Sequence, residues 1–275
     1  MTFIQKTLLV FSFFTLFSAA SWAAIPANEA NQLMTRSGYV EQMKQIPDMF
    51  EGMMGAQLQQ LGDDIDADDL QTILGMVRES YQAEIVVTSA EEVLAKKLNE
   101  DEAQALKTWF NTPLGKKISR LEVEASTAEA QQDMQMNAAT LMANQKRLAF
   151  AKRVEKLINA TDGALATLRY ASLAGMSATS AMQPEDKRPG MEFLEAQIDS
   201  QLPVIRVQIE QAMWLNLVYP YRSLTDAELE AYENFLKTPA ALKYNTLLVN
   251  DLYDHLGEQT KAFFQRLVTF FQAKG

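Results

Sequence analysis

The sequence predicts an all-α fold: a helical bundle of two tandem related repeats joined by a long helix. Three observations carry that expectation. Glycine and proline number only 11 and 8 in 275 residues, and Ala, Leu, Gln, Glu, Lys and Met, all good helix formers, dominate the chain. Apolar residues recur three and four apart far more often than they alternate. Segments 98–113 and 224–239 align without a gap at an offset of 239 − 113 = 126 residues, a long period that points to duplication.

The first 23 residues read as a secretory signal peptide. Lys6 precedes an apolar run from Thr7 to Phe17, and Ser21-Trp22-Ala23 supplies a small-x-small cleavage site. Cleavage after Ala23 would leave a first repeat over 24–152 and a second over 153–275, exported across a bacterial inner membrane into the periplasm. No later stretch has the length of a membrane-spanning helix, so no stable span is expected after cleavage. With no cysteine, disulfides and a lipid-modified N-terminal cysteine are excluded, although the compartment would permit disulfides. Loss of Lys6 leaves 24 basic against 35 acidic residues, 24 − 35 = −11. That surface repels phosphate backbones, and nucleic acid is not an expected partner.

Along the chain, Leu33-Met-Thr-Arg-Ser-Gly38 and Leu157-Ile-Asn-Ala-Thr-Asp-Gly163 read as helix ends running into glycine. Ser89-Ala-Glu-Glu92 offers a capping box, as do Asn99 with Glu102 and Thr225 with Glu228. Leu106, Trp109 and Phe110 then share one helical face, as do Leu229, Tyr232, Phe235 and Leu236. Thr112-Pro113 and Thr238-Pro239 close these helices and open the next, since proline disfavours helix before it but suits a first turn. Ile118 and Leu121 continue the apolar face beyond the first corner; Tyr244 and Leu247 do so beyond the second. Between Gly115 and Gly163 there is neither glycine nor proline, which predicts one joining helix of about 70 Å, bent or frayed near its middle. Pro203 and Pro220 are expected to interrupt the second repeat upstream of its corner.

The pattern Leu98…Glu102…Trp109-Phe110…Pro113-Leu-Gly-Lys-Lys117 resembles a family of exported bacterial proteins catalogued as a domain of unknown function, number 2059. The second copy departs from it, with Ala240-Ala241-Leu242-Lys243 in place of Leu-Gly-Lys-Lys. The resemblance covers roughly 80–140 and 206–266. It implies a secreted helical module and brings no catalytic residues with it.

No residue pattern for catalysis, cofactor or metal survives inspection, and none of the three is assigned. His255 is the sole histidine, flanked at helical spacing by apolar residues, and no Gly-x-Ser-x-Gly elbow exists to pair with it. One histidine without cysteine cannot build a usual zinc site. Asp64-Ile-Asp66-Ala-Asp68-Asp69 begins like a calcium loop but has Asp69 where glycine is needed and Gly75 where the bidentate glutamate is needed. It reads instead as a turn in which Asp66 caps a helix. Gly115-Lys116-Lys117 lacks the rest of a phosphate loop. Met49, Met53 and Met54, with Met134, Met136 and Met142, are adaptable core fillers before they are copper ligands.

The last helix carries a heavy apolar stripe that includes Leu248, Leu252, Leu256, Phe263 and Phe264. Trp109, Phe110, Phe235, Phe263 and Phe264 form the candidate apolar groove. Three functions are compatible with these features. The first is a non-enzymatic interaction or scaffold module with another envelope protein as partner. The second is a carrier holding an apolar small molecule between helices, which requires a continuous internal pocket. The third is an enzyme using carboxylates alone, which requires paired Asp or Glu converging in a cleft.

Overall fold

The computed structural model describes residues 24–59 and 65–274; the signal-peptide reading falls outside them. Every regular element among the described residues is helical. Three helices lead in: α1 (Ala27–Ser37), α2 (Tyr39–Met43) and α3 (Ile46–Gln59). Gly38, at φ 82°, turns the chain between the first two in a left-handed conformation that glycine adopts without a Cβ penalty. Next come α4 (Ala67–Ser80), α5 (Ala83–Lys97), α6 (Glu100–Asn111) and α7 (Pro113–Ala125). Asp66 caps α4 by accepting from the Asp69 amide at 2.8 Å, a role complete in itself. The Asn99–Glu102 capping box starts α6, and Thr112 caps α7 with Pro113 in its first turn.

The expected joining helix is broken. In its place run α8 (Ala128–Met136), α9 (Ala138–Ala143), α10 (Gln145–Ile158) and the start of α11 (Ala160–Ala181). Polar side chains end each piece by offering the backbone other hydrogen bonds. Thr127 caps α8 and Asn144 caps α10, while Asn159 takes a left-handed φ of 52°. Asn159, not Gly163, therefore closes α10; Gly163 lies inside α11. Two further expectations are corrected. Ser89 sits within α5 and donates to Asp251 Oδ1 at 2.8 Å instead of starting a helix. Pro203 lies inside α12 (Met191–Val218) without ending it. The chain closes with α13 (Asp226–Leu236), started by the Thr225–Glu228 capping box, and α14 (Pro239–Gln272), capped by Thr238.

Three large apolar clusters hold the helices, and each draws on both sides of residue 152. One joins α3, α4 and α5 to α11 and the C-terminal half of α14, around Phe50, Tyr81 and Phe263. A second joins α1, α5 and α6 to the first turns of α14, through Leu33, Leu106, Phe110 and Tyr244. A third gathers Ile118 of α7, Phe150 of α10, Tyr221 after α12, and Tyr232 of α13.

Contacts between the two aligned segments are reciprocal. Lys117 on α7 pairs with Glu228 of the second capping box at 2.7 Å, and Lys243 on α14 pairs with Glu102 of the first at 2.7 Å. With a shift of 126 residues, these are the same two positions exchanged, the pattern of a two-fold contact. Trp109 and Phe235, also 126 apart, lie against each other with ring centroids at 4.3 Å and planes 6° apart.

The corner at Pro113 is tight because Thr112 donates both its amide and its hydroxyl to the Trp109 carbonyl, at 2.9 and 2.7 Å. A Cβ on Gly115 would collide with that carbonyl. Gly115→Ala should cost about 1–3 kcal/mol in denaturant unfolding, the usual range for overpacking against a fixed backbone.

Glu233 gives a second expectation. Arg153 and Lys237 both hydrogen-bond its carboxylate and hold it down to about 2 from an ordinary 4.5. A carboxylate lowered on folding contributes stability above its unfolded value and loses it as pH falls. Glu233→Gln should therefore destabilise on the order of 1–2 kcal/mol at pH 7, less than the full shift because both cations are half exposed. The gap to wild type should close between pH 4.5 and about 2, followed by thermal unfolding across pH.

Candidate functional site

Where the three clusters meet, their side chains do not fill the space. A cavity of about 530 Å³ remains. It takes Met43 from the first cluster, Phe110, Tyr244 and Leu248 from the second, and Ile118, Leu217, Tyr221 and Tyr232 from the third. Its wall follows a chain of rings in successive contact: Tyr244, Phe110, Phe235, Trp109, Tyr232 and Tyr221, with neighbouring centroids 4.3–6.1 Å apart. Offset and edge-on pairs of this kind pack stably without further support. Trp109, Phe110 and Phe235 thus line one continuous cavity.

Phe263 and Phe264 do not belong to it. Phe263 is fully buried in the first cluster, 6.2 Å from the Tyr81 ring. Phe264 is partly buried and is not among the lining residues. At 1.5 Å per residue, Phe263 stands about 22 Å along α14 from Leu248. The apolar stripe of the last helix serves two places in succession, and the groove expected from it is shorter than its length.

Polar groups sit at both ends of the ring chain. At one end, Tyr221 and Tyr232 both donate to Oε1 of Glu122, at 2.5 and 2.7 Å. Oε2 of Glu122 accepts from no side chain or amide among the described residues, and no Lys or Arg pairs with it. Burial raises the Glu122 carboxyl above its ordinary 4.5, against the two phenols, which pull it down. The Tyr221 and Tyr232 hydroxyls are pushed well above their ordinary range, first by burial and then by the Glu122 charge. Glu122 is the one charged side chain in the cavity lining, which otherwise holds no Asp, Lys, Arg or His among the described residues.

At the other end, the Tyr244 and Ser37 hydroxyls lie 2.8 Å apart. The Tyr39 hydroxyl is enclosed and has no hydrogen-bond partner among the described residues. Burial, and next the Asp251 charge, raises it far above the usual phenol range. Leaving a buried hydroxyl unpaired costs about 1–3 kcal/mol.

Elsewhere, His255 is a half-buried side chain of α14, with Nε2 3.3 Å from Gln259. Among the described residues no group of three or more His, Cys, Asp or Glu is placed to hold a metal ion. Met54 is buried in the core while Met49 and Met136 are exposed.

Glu122, Tyr221, Tyr232, Tyr39 and Tyr244 escaped the reading of the sequence as site residues. One signal for Glu122 was present: it falls on the apolar face that Ile118 begins, at the position where the other segment has Leu248, 126 residues on. No local signal marks Tyr221, which reaches the cavity only because α12 brings it there.

Residues 86–144 match a family described as an uncharacterized protein conserved in bacteria, DUF2059. The matched span holds most of α5, the first capping box, the corner and Glu122. Comparison with curated proteins and with solved structures returns no match. No helix among the described residues is long and apolar enough to cross a membrane.

Glu122→Gln tests the charge state. A carboxyl raised on folding opposes folding when ionised, and that cost disappears as pH falls towards its unfolded value. The variant should melt higher than wild type at pH 8, and the difference should close as pH approaches 4.5. An unchanged difference across that range would mean that Glu122 is not raised.

Proposed function

We propose that this protein is a non-enzymatic carrier of a small molecule with a largely apolar body, held between the aligned segments. The cavity is the observation that carries the reading. Its volume of about 530 Å³ falls within the roughly 300–1,000 Å³ of small-molecule sites, which are largely apolar with a few fixed polar groups. Ring-lined walls and polar ends match that composition. Export to the periplasm is part of the proposal and rests on the Lys6–Ala23 pattern. So is an origin by duplication, which rests on the 126-residue offset and on the exchanged Lys117–Glu228 and Lys243–Glu102 pairs. The cavity then occupies the seam between the copies, where each contributes a wall.

A second reading has its own support. Phe193, Val204 and Val207 on α12 are 61%, 78% and 58% exposed, more apolar surface than one helix face ordinarily leaves in water. An envelope protein docked there would make the chain an interaction module. Serine at all three positions should abolish cross-linking to such a partner without changing what the cavity binds.

Two measurements test the carrier. Native mass spectrometry of the exported protein should show an added mass of a few hundred daltons. The stripped protein should bind one equivalent of N-phenyl-1-naphthylamine with enhanced fluorescence. Val249→Trp, which fills the cavity from α14, should weaken that binding at least about ten-fold, or 1.4 kcal/mol. A bare mass together with no probe binding would overturn the carrier.

A further inference from the structure

The cavity is lined in part by pairs of positions 126 residues apart, and two of these pairs are polar on the α7 side and apolar on α14. Ile118 faces Tyr244 in this correspondence, and Ser119 faces Asn245. Glu122 corresponds to Leu248, and Ser126 to Leu252. The α7 wall therefore carries a carboxylate and a hydroxyl where the α14 wall carries two leucines. Sequence difference at equivalent positions has made one part of the cavity anionic and left the equivalent α14 positions apolar.

From this asymmetry we infer that the occupant is a cationic amphiphile: an apolar body bearing one protonated amine, oriented with the amine at Glu122. This rests on the carrier reading and specifies its ligand. Three observations converge on it. Both phenols donate to Oε1, so Oε2 is the acceptor left for a donor inside the cavity. Among the described residues no cation pairs with Glu122, and the lining supplies none. A buried carboxylate without a counter-charge is costly, and an ammonium group that arrives with the ligand removes that cost. Tyr221 and Tyr232 contact Glu122, with Trp109 stacked on Tyr232, and aromatic side chains beside one carboxylate are the composition that favours ammonium over a neutral head group. An anionic head group, as on a fatty acid, would meet Glu122 with like charge.

The α14 wall takes the apolar body. Leu248 and Leu252 lie one helical turn apart on α14, with Leu217 of α12 and Phe235 of α13 also on the lining. At the far end the unpaired Tyr39 hydroxyl can donate to an acceptor on the ligand, so a second polar atom opposite the amine is accommodated.

The test displaces N-phenyl-1-naphthylamine from the full mature protein with decylamine, decanol and decanoate, all below their micelle concentrations. Decylamine should displace the probe at a concentration at least about ten-fold below decanol, and decanoate should be the weakest of the three, as a charge-assisted contact requires. In Glu122→Gln the ratio of decylamine to decanol should collapse to near one, while Glu258→Gln, an exposed change on α14, should keep the wild-type ratio. The wild-type series alone decides the matter should Glu122→Gln fold poorly. Probe binding with equal displacement by all three, or with decanoate strongest, would overturn the cationic ligand and leave the carrier standing. Absence of probe binding would remove the carrier itself.

Discussion

The fold depends on the meeting of Trp109 with Phe235. These rings belong to α6 and α13, the two short helices that open the aligned segments, and they stack at 4.3 Å. Everything placed by the corners follows from that contact. Each corner sends its long helix, α7 or α14, across the capping box of the other segment, where a lysine meets a glutamate already engaged with a helix start. The ion pairs are half exposed and individually weak, but each glutamate holds a capping amide and a lysine together. Capping, corner and interface are thereby one construction, and the register between segments has little freedom to slip.

That construction also explains why a cavity exists. Interiors fill to near-crystalline density only when side chains from all sides can interdigitate. Here the central stack keeps α7 and α14 apart, and three separately packed clusters approach the same region from different directions. Each completes its own contacts, and none sends a side chain large enough to close the gap. The polar groups at the margin are those whose hydrogen bonds can be met at the edge of a cluster. Glu122 finds two phenols there, and Tyr39 finds none.

Local chemistry in the sequence was readable where the cause was local. The capping boxes at Asn99 and Thr225, the Thr-Pro corners and the shared apolar faces depend on residues within a few positions of one another, and each is present in the structure. The joining helix was misread because absence of glycine and proline was taken as continuity, while Thr127, Asn144 and Asn159 break the backbone by hydrogen bonding and left-handed geometry. Trp109, Phe110 and Phe235, grouped together in the sequence, all line the cavity, and their relation follows from the alignment. Phe263 and Phe264 were grouped with them because a stripe shows which face is apolar without showing how many neighbours share it. Glu122 and its two tyrosines come from α7, the turn after α12, and α13; only tertiary packing brings them together.

The longest helix has a consequence for the chain as a folding unit. Over its 34 residues, about 50 Å, α14 gives Ala240, Tyr244 and Leu248 to one core and Leu256, Phe263 and Leu267 to another. Both of those cores are otherwise built in large part from residues before 111. A protease that cut between the aligned segments would not release two folded pieces, because the N-terminal piece would lose a wall from each core and α14 would be left with its apolar stripe in water. Cooperativity is therefore written into the topology: a short pattern recurs along the chain, yet the cores on which it rests are indivisible in unfolding.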